Sequence, residues 1–158
     1  AAMAAGLATM VAGMSRGKKA YIQYERELSE AIARLSELRE ALKAAIDADA
    51  ESYNAVMKAY KQAKDSAGKD GVIEDALKQA TNVPLGVAER AREVAAIVET
   101  LKPITNPNMK SDLTTALALA RAAMEGALAN VEINLDSLKD QAFAADTRKR
   151  ALALKPLA

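Results

Sequence analysis

Three carboxylates fall within five residues of one another: Asp47, Asp49 and Glu51, in the stretch Ile46-Asp47-Ala48-Asp49-Ala50-Glu51-Ser52-Tyr53. The segment around them has helical periodicity. Leu28, Ile32, Leu35, Leu38, Leu42 and Ile46 recur at steps of three and four, which marks one apolar helix face, and the stripe resumes at Tyr53, Val56 and Tyr60. Position 49 lies three after Ile46 and four before Tyr53, so Asp49 is aimed where leucines sit elsewhere along the helix. Asp47 points roughly 100° away from Ile46, and Glu51 also leaves the seam. Burial disfavours the charged form of a carboxylate and raises its pKa, which suits a general acid/base near neutral pH. The same periodicity is also served by a structural aspartate bonded to a serine, tyrosine or backbone group, or by a kink that leaves the side chain wet.

Asn134 interrupts a second apolar seam, three after Val131 and four before Leu138, with Asn130 close to it. Two loops add polar material: Arg16–Lys19, with Lys18 and Lys19, and Asn106–Asp112, with Asn106, Ser111 and Asp112. An aspartate as proton shuttle, an asparagine as orienter and lysines as anion clamps suit a polar substrate with a carboxylate tail. Each has a plainer reading beside it. A basic run at a helix end is usually a solvated cap that interacts with the helix dipole, Lys64 included. Asn134 serves equally as a helix C-terminal cap.

The elements that must position these residues are helices. Ala1–Met14, all small or apolar, reads as a buried helix ended near Gly17. Fourteen helical residues span about 21 Å, short of the ~30 Å hydrocarbon core, and the basic flank follows the apolar run where a signal peptide needs it to precede. Ala20 to about Lys64 is helical almost throughout, about 66 Å if unbroken, so a bend is expected. Lys64–Gly71 is a polar loop with two glycines. Val72–Thr81 is a short helix, interrupted by Asn82-Val83-Pro84, with Pro84 in the first turn of the next helix, Leu85 to about Leu101. Lys102–Lys110 is a second break, after which Ser111 is the expected N-cap of a helix with Asp112 in its first turn. Ser137 with Asp140 resembles a capping box that opens a last helix. The end, Ala151–Ala158, thins into a Pro-containing tail. No internal repeat or domain linker interrupts residues 1–158, so a single domain is expected.

Composition narrows the chemistry. The chain has 158 residues, of which 51% are hydrophobic and 3% aromatic, with 7 glycines and 4 prolines. That is the composition of a helical bundle. The net charge of +1, from 22 basic and 21 acidic residues, gives no electrostatic footprint for nucleic acid. Cysteine and histidine are absent, which removes disulfides, thiolate nucleophiles, Ser-His-Asp chemistry and the usual zinc sites. Acid/base work at neutral pH then falls to a perturbed carboxylate, lysine or tyrosine. The absence of cysteine fits a cytoplasmic protein without identifying one.

Gly17-Lys18-Lys19-Ala20-Tyr21, then Ile46 to Tyr53, then Val83-Pro84-Leu85, Ser111-Asp112 and Asn130-Val131-Glu132-Ile133-Asn134-Leu135, form an ordered series. The series resembles the cyclodeaminase domain of formimidoyltransferase-cyclodeaminase and the related methenyltetrahydrofolate cyclohydrolases of serine-cycle type. The resemblance runs from Ala1 to about Phe143. It implies an all-α, up-and-down helical bundle with long helices, dimeric, with a folate bound in a cleft at the subunit interface. It also implies that Asp49, the second aspartate of the Asp-Ala-Asp element, is catalytic, and that dimerisation uses helices that include the Ala1–Met14 stripe. There are two departures. The family's Pro-Gly-Gly-Gly-Ser segment precedes the first small-residue helix, and this chain starts after it, so an upstream segment is expected. In place of the family's Leu-Pro-Lys after the long helix stands Gln62-Ala63-Lys64.

Two folate reactions fit. In cyclohydrolysis, water attacks the bridging carbon of 5,10-methenyltetrahydrofolate and N5 is released, giving 10-formyltetrahydrofolate. In cyclodeamination, N10 of 5-formiminotetrahydrofolate attacks the formimino carbon and ammonia leaves. Either is served by a single carboxyl of raised pKa that takes one proton and gives one, with no metal or redox cofactor. The chain carries no formimidoyltransferase region, which leans the expectation toward the cyclohydrolase. A non-catalytic helical interaction module is the remaining reading. A folate substrate, a homodimer, and neither nucleic acid nor membrane are the expected partners.

Overall fold

A computed structural model describes residues 1–64 and 70–154, with Lys64 and Asp70 described by their backbone. The described chain is all-α. Helix α1 spans Ala2–Ser15, α2 Glu25–Lys64, α3 Asp70–Leu101, α4 Lys110–Leu135 and α5 Gln141–Leu154. Two short 3-10 helices, Lys19–Tyr24 and Pro107–Met109, lead into α2 and α4. The chain forms two compact units, one of Ala1–Lys43 with Arg90–Met124, the other of Ala44–Glu89 with Glu125–Ala158. Helices α2, α3 and α4 each contribute residues to both.

The first unit buries the small face of α1: Ala4, Ala5, Ala8, Val11 and Ala12 are fully covered. Side chains this small let neighbouring helices approach closely, so α1 is held by packing although no side chain caps its N-terminus. Leu28, Leu35, Leu38 and Leu42 of α2 are buried, as are Val94, Val98 and Leu101 of α3 and Leu113, Ala116, Leu117 and Ala120 of α4. The Arg34 guanidinium grips Glu93 through Nε and Nη2, at 2.6 and 2.9 Å, and reaches Glu37 through Nη1 at 2.7 Å. It holds the Glu93 carboxyl below the usual carboxylate range. Both side chains are substantially exposed, so the pair orients α2 and α3 more than it stabilises them.

In the second unit the seam of α2 departs from the expected one. The residues turned inward are Ala45, Ala48, Ser52, Val56, Ala59 and Ala63, while Ile46, Asp49, Tyr53, Met57 and Tyr60 face outward. From Leu42 the helix continues its 3.6-residue rhythm to Ala45, not Ile46, and the alanines take the core side. The other buried residues of this unit come from α3, α4 and α5, among them Leu77, Leu85, Leu128, Val131, Leu135 and Ala144.

Pro84 lies inside one continuous helix, Asp70–Leu101, so the expected break at Asn82-Val83-Pro84 does not occur. A proline removes the N–H that the carbonyl four residues earlier would accept. That carbonyl belongs to Ala80, and it accepts instead from Asn134 Nδ2 of α4 at 3.0 Å. The helix keeps its course because a neighbour supplies the donor that proline lacks.

Two caps also differ from expectation. The Asn106 side chain accepts from the Asn108 N–H at 3.0 Å and opens the 3-10 turn, so α4 begins at Lys110 and Ser111 is an exposed residue of its first turn rather than its cap. At α5 the cap is Asp140, which accepts from the Phe143 N–H at 3.0 Å, and not Ser137. Glu74 of α3 accepts from the N–H groups of Lys139 and Asp140 at 3.0 and 2.8 Å. Lys78 bonds Asp140 at 2.7 Å and lies over the Phe143 ring, 5.6 Å from its centroid. Of the loop expected at Lys64–Gly71, Lys64 still belongs to α2 and Asp70 and Gly71 already belong to α3, while residues 65–69 lie outside the described ones. Of the tail expected at Ala151–Ala158, residues 151–154 are the last turn of α5 and the rest lie outside the described ones.

Candidate functional site

In the first unit, the structure joins the two polar loops. Ser15 is the last residue of α1 and fully buried. Its hydroxyl donates to the Val11 carbonyl at 3.1 Å and accepts the backbone N–H of Asn106, also at 3.1 Å. Gly17 follows with φ 73, a left-handed conformation that glycine adopts without strain. Its N–H donates to the Glu25 carboxylate at 2.8 Å. The Lys18 N–H returns to the Ser15 carbonyl at 3.3 Å, and the Lys18 carbonyl accepts from Tyr21 at 2.9 Å. The turn is thus fixed along its backbone, while Arg16, Lys18 and Lys19 project into solvent. The ammonium groups of Lys18 and Lys19 have no partner among the described residues.

Across the Ser15 bond, Asn106 holds the start of the second loop. Its carbonyl accepts from Met109 at 2.9 Å, besides the side-chain bond to Asn108. Ser111 is exposed and Asp112 half-buried in the first turn of α4 that follows. Of the expected site residues, Lys18, Lys19, Asn106, Ser111 and Asp112 therefore belong to one hydrogen-bonded assembly of two loops and the elements they enter.

The second unit holds Asp49, Asn130 and Asn134. Asp49 is exposed, which corrects the expectation that leucine-like burial would surround it. The physical reason is the seam rotation in α2: the apolar residues on either side of it, Ile46 and Tyr53, are 69% and 63% exposed. The Ser52 hydroxyl bonds the Asp49 carbonyl at 2.8 Å, within the helix. Asn130 is exposed. The Asn134 amide nitrogen donates to the Ala80 carbonyl of α3, so the side chain reaches a neighbouring helix instead of capping its own. The side chain of Lys64 lies outside the described residues.

Sequence reasoning missed Ser15 and Glu25. The signal for Ser15 was present: it continues the seam Ala4, Ala8, Ala12 or Val11 at helical spacing, the same argument that singled out Asp49 on α2. Glu25 carries no such signal, because its bond to Gly17 depends on a turn whose geometry only the fold supplies. A cleft of about 540 Å³ between α2 and α3 of the first unit, with Tyr24, Arg34, Glu93, Ile97 and Ile104 on its walls, contains none of the expected site residues.

The sequence profile of the formiminotransferase-cyclodeaminase family matches residues 1–153. The chain belongs to this family. It is 36% identical over 152 residues to the methenyltetrahydrofolate cyclohydrolase of Methylorubrum extorquens, which covers 94% of this chain and 73% of that protein. It is 33% identical over 158 residues to the formimidoyltransferase-cyclodeaminase of Sus scrofa, of which it spans 29%. Among solved structures, formiminotetrahydrofolate cyclodeaminase from Thermotoga maritima superimposes with a TM-score of 0.90 at 33% identity, covering 97% of this chain and 74% of that one. As a member of the formiminotransferase-cyclodeaminase family, the chain carries its Asp-Ala-Asp element on the outward face of α2 and its Gly-Lys-Lys turn at the end of α1. No described helix is long and apolar enough to cross a membrane.

Proposed function

We propose that the protein is an enzyme of folate one-carbon metabolism, a methenyltetrahydrofolate cyclohydrolase that interconverts 5,10-methenyltetrahydrofolate and 10-formyltetrahydrofolate. The observation that carries this reading is the 36% identity, over 94% of the chain, to a cyclohydrolase. Asp49 is the acid/base. It takes a proton from the water that attacks the methenyl carbon, and returns one to N5 as the bond from that carbon to N5 breaks, which leaves the formyl group on N10. In the first unit Lys18 and Lys19, without a partner among the described residues and held on a fixed turn, receive the anionic glutamate tail, with Asn106, Ser111 and Asp112 as further polar contacts; in the second unit Asn130 is a polar contact for the substrate. Lys64 belongs with them on the sequence series alone. Asn134 serves the site by holding α3 at Pro84. No metal or redox cofactor is required by these steps, and the reaction is one of the cytoplasm.

The active form is a homodimer. The outward stripe Ile46, Tyr53, Met57 and Tyr60 and the methionines Met3, Met10 and Met14 of α1, all at least 43% exposed, give a second copy apolar surface to cover. A covering subunit restores around Asp49 the apolar surroundings in which a carboxyl works as an acid near neutral pH.

The 0.90 structural match to a cyclodeaminase supports a second reading, ammonia release from 5-formiminotetrahydrofolate, which the same aspartate serves. The purified protein is given 5,10-methenyltetrahydrofolate and its loss of absorbance followed, then 5-formiminotetrahydrofolate and ammonia followed. Enzyme-dependent hydrolysis of the methenyl compound is the expected result. Ammonia release without it reverses the assignment, and silence in both leaves a non-catalytic helical module.

A further inference from the structure

We propose that Ser15 is a positioning residue that sets the anion-binding turn against the loop at Asn106, and so governs how tightly the substrate's anionic tail is held. The inference rests on the folate reading above. Ser15 is one of only four buried polar side chains among the described residues, with Thr81, Thr105 and Thr147. Thr81, within α3, and Thr105, in the turn after it, return their hydroxyls to a carbonyl four residues earlier. Ser15 does this too, but it also accepts a bond from a residue 91 positions away, the Asn106 N–H. Among the described residues that N–H has no other partner, so the hydroxyl is what joins the two loops.

The consequence follows from the chain's short reach. Only Arg16 and Gly17 separate Ser15 from Lys18. Gly17 is pinned by Glu25 and the Lys18 N–H by the Ser15 carbonyl, so the backbone from Ser15 to Lys18 has little freedom left. Moving Ser15 moves the lysines; releasing Asn106 from Ser15 separates them from the loop that leads to Ser111 and Asp112. Lysine ammoniums are point charges on flexible stems, so their placement is set by the backbone that carries them. The bond therefore acts on ground-state binding of the charged tail and not on the proton transfers at the pterin end.

The test is steady-state kinetics on the cyclohydrolase reaction, with mono- and polyglutamylated 5,10-methenyltetrahydrofolate, for wild type, Ser15→Ala, Ser15→Thr and the double variant Lys18→Ala/Lys19→Ala. Ser15→Ala is expected to raise KM for the polyglutamylated substrate about tenfold, the upper end of what one neutral hydrogen bond contributes, with kcat within about twofold of wild type. The Thr variant keeps the hydroxyl and is expected to restore KM. Because Ser15 acts through the lysines, adding Ser15→Ala to the lysine double variant raises KM no further. A merely structural serine lowers melting temperature and the fraction of active enzyme but leaves KM unchanged, and that result, or full additivity with the lysine changes, overturns the inference while the folate reading stands. Wild type inactive on both folate substrates sinks the reading and the inference with it. Where Ser15→Ala fails to fold, Ser15→Cys, of similar size with a weaker donor and acceptor, gives the same KM comparison.

Discussion

Replacing Asp49 by asparagine keeps the side chain's size and removes its charge, and because the residue is exposed on α2 the fold has no reason to suffer. Activity of Asp49→Asn is expected to fall by about 10²–10⁴, the usual contribution of a positioned acid/base, with the helical circular dichroism unchanged. Asp47→Asn, on another face of the same turn, is expected to retain activity within a few-fold; equal losses from the two would remove Asp49 from its role. At this scale the sequence marked which polar residues interrupt helix seams and misjudged where those seams face. Asp49 stood out because it interrupts a stripe of large apolar residues, yet that stripe faces outward, because alanines compete for the core position and periodicity weighs Ile46 and Tyr53 above Ala45 and Ser52. Asn134 stood out for the same reason and proved to be a donor to the Ala80 carbonyl, a partner that no local pattern announces because it lies 54 residues away.

Between elements, the proline of α3 is the feature that most needs its neighbour. Asn134→Ala leaves the Ala80 carbonyl without its donor in a buried position and is expected to cost about 1–3 kcal/mol in denaturant unfolding. Pro84→Ala returns the N–H that Ala80 lost, so in that background the cost of Asn134→Ala is expected to shrink by at least about 0.5 kcal/mol. Simple additivity in the double-variant cycle would mean that the two residues are unconnected. The N-terminus of α5 is held by charge. Lys78, and after it the Phe143 N–H, keeps the Asp140 carboxyl below the usual aspartate range. A lowered pKa stabilises the fold fully above the ordinary value near 4, and the contribution disappears as pH falls through the lower native value. The melting advantage of wild type over Asp140→Asn is therefore expected to hold from neutral pH down to about pH 4 and to narrow below it. Lys78 is raised by the same bond, so its share is present below its ordinary value and lost only at strongly alkaline pH. Helix α3 was read as two helices because Asn82-Val83-Pro84 reads as an interruption with the proline in the first turn of a new helix; the rescue by Asn134 is tertiary and left no local mark.

For the molecule as a whole, the all-α class followed from composition and period, since few glycines and prolines and long 3.6-residue rhythms admit little else. Its assembly did not, because a face left open for a partner and a face turned to the core carry the same residue types. The dimer is open to a direct check. Tyr53→Lys with Met57→Lys places two charges on the outward stripe of α2, and sedimentation at micromolar concentration is expected to show a dimer for wild type and at least a tenfold weaker association for the variant. A wild-type monomer under those conditions would sink the proposal of a covered Asp49. The division of the chain into two units has a consequence for synthesis. Neither unit is a continuous segment: the first takes residues 1–43 and 90–124, the second 44–89 and 125–158. A chain emerging from the ribosome cannot close the first unit until about residue 124 is out, by which time all of α2 and α3 has been made and waits with its apolar faces uncovered. The interval between making α2 and making α4 is thus when this protein is most exposed to aggregation and most in need of a chaperone, and slowing translation there should lower the yield of soluble protein.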